Sequence, residues 1–143
     1  MKSNRRKARE DALQILYQLD LNNQLTIEMA LNHFETLYLQ NQNELDPFTR
    51  RLVVGVGEKV IEIDQQLGEI SSHWRPDRMA AVDRNILRLG AYEILFCDDI
   101  PGTVTLNEMV EIAKEFGAEN TPAFVNGVLD KLKDKFPSQT KAQ

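Results

Sequence analysis

Residues 81–97 read AVDRNILRLGAYEILFC, and this stretch decides the fold. Val82, Ile86, Leu87, Leu89, Ala91, Ile94 and Leu95 recur at helical spacing rather than alternating as a half-buried strand would. They cover most of the circumference, so the segment reads as a central buried helix. Gly90-Ala91 in its middle would let a neighbouring helix come close. The turn Asp98-Asp99-Ile100-Pro101-Gly102 ends it.

Helical stripes continue on both sides. After the turn, Leu106, Met109, Val110, Ala113 and Phe116 mark a helix that Gly117 is placed to stop. Thr121-Pro122 reads as a cap followed by a helix-start proline, and Val125, Val128, Leu129 and Leu132 form the last stripe. Before the central segment, Trp74-Arg75-Pro76-Asp77 interrupts the pattern, because proline disfavours helix at the preceding residue. Asp46-Pro47 is a second cap-and-proline start, opening a helix through Leu52, Val53, Val56 and Val60. Asp64 to His73 reads equally well as its continuation or as a short separate helix. Towards the N-terminus, residues 26–39 place Ala30, Leu31, Phe34, Leu37 and Tyr38 on one face, and residues 6–20 do the same with Ala12, Leu13, Leu16 and Leu19. The expected fold is all-α, a compact bundle of six to seven helices. Residues 1–143 read as one domain, with a flexible arm at 1–5 and a loose tail at 137–143.

Composition agrees. A chain of 143 residues suits one domain and can bury roughly 68–70% of its unfolded surface without a metal or disulfide. The hydrophobic fraction is 42% and the charged fraction 27%, the balance of a globule rather than a disordered segment. No run approaches the ~20 apolar residues of a membrane span, and no apolar signal region follows the N-terminal charges. Cys97 is the single cysteine, so no internal disulfide can form. A reduced, cytoplasmic protein is expected, with no membrane partner.

Signatures of catalysis are missing. The two histidines, His33 and His73, have no paired Glu-x-x-His arrangement, and Glu69 with His73 makes no metal site alone. Gly55-x-Gly57 lacks the third glycine and the preceding strand of a phosphate cradle. Cys97 has no nearby base, and Glu108, Glu111 and Glu115 have the spacing of a solvated helix face. The expectation is no enzyme, no metal and no cofactor.

Charge is distributed unevenly. The chain carries a net −5, yet Lys2, Arg5, Arg6, Lys7 and Arg9 give residues 1–9 a charge of +5 with no acid among them. Positive charge at a helix N-terminus opposes the helix dipole, at about 0.3–1 kcal/mol per charge in low salt, so folding gives no reason for it. An anionic partner does. Four or five phosphate contacts to single-stranded nucleic acid predict a log–log salt slope of about −3. A solvated basic tail is the plainer reading of the same run. Phe116 and Phe124 flank the loop from Gly117 to Pro122 and suit the stacking of unpaired RNA bases, at roughly 1–3 kcal/mol per base. Sealing the edge of the core is their alternative role.

The segments RRKAREDALQILYQLD (5–20), VDRNILRLGAYEIL (82–95), DIP (99–101), LNEMVEIAKEFGAEN (106–120) and FVNGVLDKL (124–132) resemble the NusB family of bacterial transcription antitermination factors. The resemblance covers nearly the whole chain. It implies two three-helix subdomains packed together. It also implies a non-catalytic factor that pairs with NusE, a ribosomal small-subunit protein, binds the single-stranded boxA element of nascent ribosomal RNA, and acts with the transcription elongation complex and RNA polymerase. Carried over by position, the RNA-binding residues would be Arg5, Arg6, Lys7, Arg9, Phe116 and Phe124, and the partner-binding residues Tyr17 and Asp83. Lys7 replaces a frequent arginine and loses bidentate phosphate geometry. Asn120 stands where an acidic residue is common, which should favour an RNA path beside it.

The segment from Asp98 to Asn120 carries six acids and one lysine, a charge that would repel phosphate. Weak RNA binding by the isolated chain and tighter binding by a heterodimer are therefore expected. Two other readings compete. One is a helical protein-interaction module without direct RNA contact. The other is a NusB-like domain detached from an RNA cytosine methyltransferase, which would need a cofactor-binding domain that does not fit before Gln143. Monomer and homodimer both stay open for the free chain.

Overall fold

The computed structural model describes residues 4–39 and 44–137. Among them are six α-helices and no strand: α1 (Asn4–Leu21), α2 (Ile27–Phe34), α3 (Pro47–Ile70), α4 (Ala81–Phe96), α5 (Gly102–Phe116) and α6 (Thr121–Lys135). No helix is long and apolar enough to cross a membrane. The chain divides into two compact units, Met1–Glu58 and Lys59–Gln143, and the boundary falls inside α3.

The first unit holds α1, α2 and the start of α3. The expected loose arm at 1–5 lies partly outside the described residues, and Asn4 and Arg5 already belong to α1. Thr26 caps α2, its side chain accepting from the Met29 N–H; of the predicted stripe Ala30, Leu31 and Phe34 are buried, whereas Leu37 and Tyr38 lie past the end of the α-helix and are exposed. The helix then widens into a π-turn over Glu35–Leu39, where Phe34 and Tyr38 stack with centroids 4.9 Å apart. Asp46 does what its place before Pro47 predicts: its carboxylate accepts from the Phe48 N–H at 2.8 Å and satisfies an orphan donor of α3. The Thr49 hydroxyl donates to the Ala8 carbonyl at 3.0 Å, joining α3 to α1 inside the core.

The second unit holds the rest of α3, a 3₁₀ turn at Pro76–Arg78, and α4 to α6. The stretch from Asp64 onward is one continuous helix as far as Ile70, which settles the alternative left open by its sequence. Its Asp64 accepts from Arg88 of α4 twice, at 2.9 and 2.8 Å, the planar fork geometry that lysine cannot supply. α4, α5 and α6 pack on one another around Gly90. A Cβ at Gly90 would lie 2.5 Å from Leu129 Cδ1 and 3.3 Å from Met109 Cγ, so the close approach expected there is real. The apolar reading of α4 misses one feature: Glu93 is fully buried, and the Thr105 hydroxyl donates to its carboxylate at 2.8 Å. A buried carboxylate needs such donors. α6 ends at Lys135, and the expected loose tail lies outside the described residues beyond Pro137.

Candidate nucleic-acid interface

The basic end of α1 is more differentiated than its sequence suggests. Arg5 is exposed, and its guanidinium lies 4.0 Å from the centroid of the buried Phe48 ring. Arg9, one turn later, lies 5.2 Å from the same ring and is only 2% exposed. The i, i+4 spacing that groups Arg5 and Arg9 therefore groups them on an aromatic ring of α3, and Arg9 is withdrawn from the surface. Lys7 is exposed and donates to Asp11 at 2.6 Å. Arg6 is half-buried and also engaged within the chain. Three of the four described cations, Arg5, Arg6 and Lys7, keep access to solvent. Phe48 thus organises this end of the helix although sequence reading passes over it. A phenylalanine in the first turn of a helix carries no sign that two arginines will stack on it.

In the second unit, Phe116 closes α5 and is 37% exposed, while Phe124 in the first turn of α6 is half-buried. Asn120 between them is exposed. Gly117 does end α5, with φ −93° and ψ −177°, an extended backbone that any residue adopts. Space is what demands glycine there: a Cβ would sit 2.6 Å from both Cβ and Cγ2 of Thr121.

Thr121 departs from its expected role as the cap of α6. Asn120 holds the cap position, without a side-chain capping bond, and Thr121 is the first helical residue. The Thr121 hydroxyl instead donates to Asp83 Oδ1 at 3.0 Å and accepts from the Ala118 N–H at 2.9 Å. Asp83, in the first turn of α4, is half-buried and lies in the helix end that favours negative charge. Tyr17 on α1 is exposed at 38%.

Among the described residues no three His, Cys, Asp or Glu side chains converge as a metal site would require. Glu111 pairs with Lys114 at 2.8 Å, and Glu69 pairs with Lys135 at 2.9 Å rather than with His73. The hydrogen bond from Lys135, and then its charge, hold the Glu69 carboxyl below its ordinary pKa.

The chain is similar to known proteins along nearly its whole length. The model of the NusB family matches residues 6–134. A transcription antitermination protein NusB of Desulforamulus reducens is 43% identical over 130 residues, covering 91% of this chain and 90% of that protein. The structure of T. maritima NusB superposes with a TM-score of 0.85 at 35% identity, covering 100% of both chains. A crystal structure of the antitermination factors NusB and NusE in complex with double-stranded RNA contains a chain that superposes with a TM-score of 0.78 at 28% identity, covering 95% of this chain and 100% of that one. The curated relatives are transcription antitermination proteins by name. With its helices, its motifs and its full-length matches in agreement, the chain belongs to the NusB family.

Proposed function

We propose that this chain is a cytoplasmic transcription antitermination factor that pairs with a NusE-type ribosomal protein and, as the heterodimer, binds single-stranded boxA RNA. The observation that carries the reading is the exposed basic end of α1 on an otherwise acidic chain, with Arg5 held on the Phe48 ring. Arg5, Arg6 and Lys7 would meet phosphates, and Arg9 would support Arg5 from beneath. Phe116 and Phe124 would stack on unpaired bases, with Asn120 lining the path. Tyr17 and Asp83 would face the partner. The assembled pair would act with RNA polymerase in the elongation complex. A homodimer of the free chain would compete with that pairing, and sedimentation of the chain alone reads it.

Fluorescence anisotropy of a labelled boxA-type RNA, with and without NusE, across a salt series, tests the proposal. Three solvent-accessible cations on single-stranded RNA give an expected log–log slope contribution of about −2 from α1. Tight binding should need both proteins and fall with Arg5→Ala/Arg6→Ala. Absence of binding by the heterodimer at low salt would leave a protein-interaction module and refute the proposal.

A further inference from the structure

We propose that Thr121 is a positioning residue for RNA binding, its hydroxyl joining the start of α4 to the loop between α5 and α6. The inference rests on the RNA-binding reading above and assigns a role to a residue outside the contact set.

Thr121 is 1% exposed, so it touches no ligand itself. A hydroxyl has one proton to give and lone pairs to accept with. Here the proton goes to Asp83 Oδ1 at 3.0 Å, and a lone pair takes the Ala118 N–H at 2.9 Å. The carboxylate orients the hydroxyl, and the oriented hydroxyl holds the loop. Backbone contacts complete the seat: the Thr121 N–H donates to the Ala118 carbonyl at 3.1 Å, and Gly117 lies against the Thr121 side chain closely enough to exclude a Cβ. Phe116 precedes Gly117 and Asn120 precedes Thr121. The Phe124 N–H donates back to the Asn120 carbonyl at 3.3 Å. One buried hydroxyl therefore sets the backbone that carries Phe116, Asn120 and Phe124. Asp83, assigned to the partner face, shares that hydroxyl, so a partner that moves the carboxylate also moves the loop. Such coupling is reciprocal between the two ligands.

The test uses the NusE heterodimer carrying Thr121→Val, Thr121→Ser or Gly117→Ala, with labelled boxA RNA followed by anisotropy. Valine keeps the shape but can neither donate nor accept, whereas serine keeps both bonds. Gly117→Ala brings a Cβ to 2.6 Å from Thr121 Cβ and Cγ2 and 2.8 Å from its Oγ1, pressing the loop off its seat while the hydroxyl itself is retained. We expect Thr121→Val and Gly117→Ala to bind RNA about tenfold more weakly, the loss of one stacked base. Thr121→Ser should stay within about twofold of the parent. The salt slope should not change, because the α1 cations are untouched. Amide exchange at Ala118 should accelerate in Thr121→Val.

Parental affinity in a folded Thr121→Val variant with a fast-exchanging Ala118 amide would overturn the inference. So would serine failing as badly as valine, or a salt slope that collapses with either. If valine does not fold, as circular dichroism would report, Gly117→Ala takes its place: a tenfold loss supports the inference, and parental affinity overturns it. A parent heterodimer that binds no RNA overturns the functional reading and this inference with it, and that result is distinct from any difference between variants.

Discussion

Phe48→Leu removes an aromatic ring while keeping an apolar side chain in the first turn of α3. The parent ring has the Arg5 guanidinium 4.0 Å and the Arg9 guanidinium 5.2 Å from its centroid. The contact to exposed Arg5 is worth about 0.5–1 kcal/mol, and the one to buried Arg9 about 2 kcal/mol because its cation is desolvated. Shape mismatch in the core adds about 1 kcal/mol or less, since leucine remains apolar. The expected stability loss is about 3 kcal/mol, read as a lower midpoint in urea at constant slope. A cycle of Phe48→Leu with Arg5→Ala should show a coupling of at least about 0.5 kcal/mol. RNA affinity of the heterodimer should fall about two- to fivefold, since Arg5 survives but loses its seat. A coupling within about 0.3 kcal/mol of zero would refute this reasoning, because it would mean the ring and the guanidinium are neighbours without an energetic contact.

Asn120→Asp should move two measurements in opposite directions. A negative charge at the start of α6 favours the helix by about 0.3–1 kcal/mol, raising the melting temperature, while it weakens RNA binding through phosphate repulsion. An unchanged RNA affinity would place this loop away from the RNA. Two glycine-to-alanine changes should also differ in sign. Gly90→Ala puts a Cβ 2.5 Å from Leu129 Cδ1 and should destabilise by about 1–3 kcal/mol despite the better helix former. Gly127→Ala meets nothing within 4 Å and should stabilise by about 0.5–1 kcal/mol. Urea unfolding of both variants decides it. The Glu69 carboxyl, held low by Lys135, should titrate below its ordinary range by NMR and return towards it in Lys135→Met. Because its folded pKa is depressed, the small stability it contributes is present above the unfolded value and lost as pH falls through the folded one. A Glu69 midpoint unmoved by Lys135→Met would show that the pair does not persist in solution.

The helices were legible because their signals are local. The stripe of α4, the Asp46-Pro47 start of α3 and the Gly117 stop of α5 each depend on a few neighbouring residues, and all three stand in the structure. Family membership was legible for a related reason, since ordered motifs persist along the chain. Three features were set by residues distant in sequence. Arg9 reads as one more surface cation until Phe48, nearly forty positions on, draws it down. Thr121 reads as a cap until Asp83, 38 residues earlier, takes its proton. Glu93 carries no local sign of burial, yet Thr105 meets its carboxylate in the core. Periodicity, caps and the excess of positive charge at one end can be read from the residues alone, because each is a property of near neighbours along a helix. Tertiary structure alone decided which of those charges remain at the surface and which hydroxyl holds the loop. Burial and hydrogen-bond partnership depend on what another helix brings to within about 3 Å.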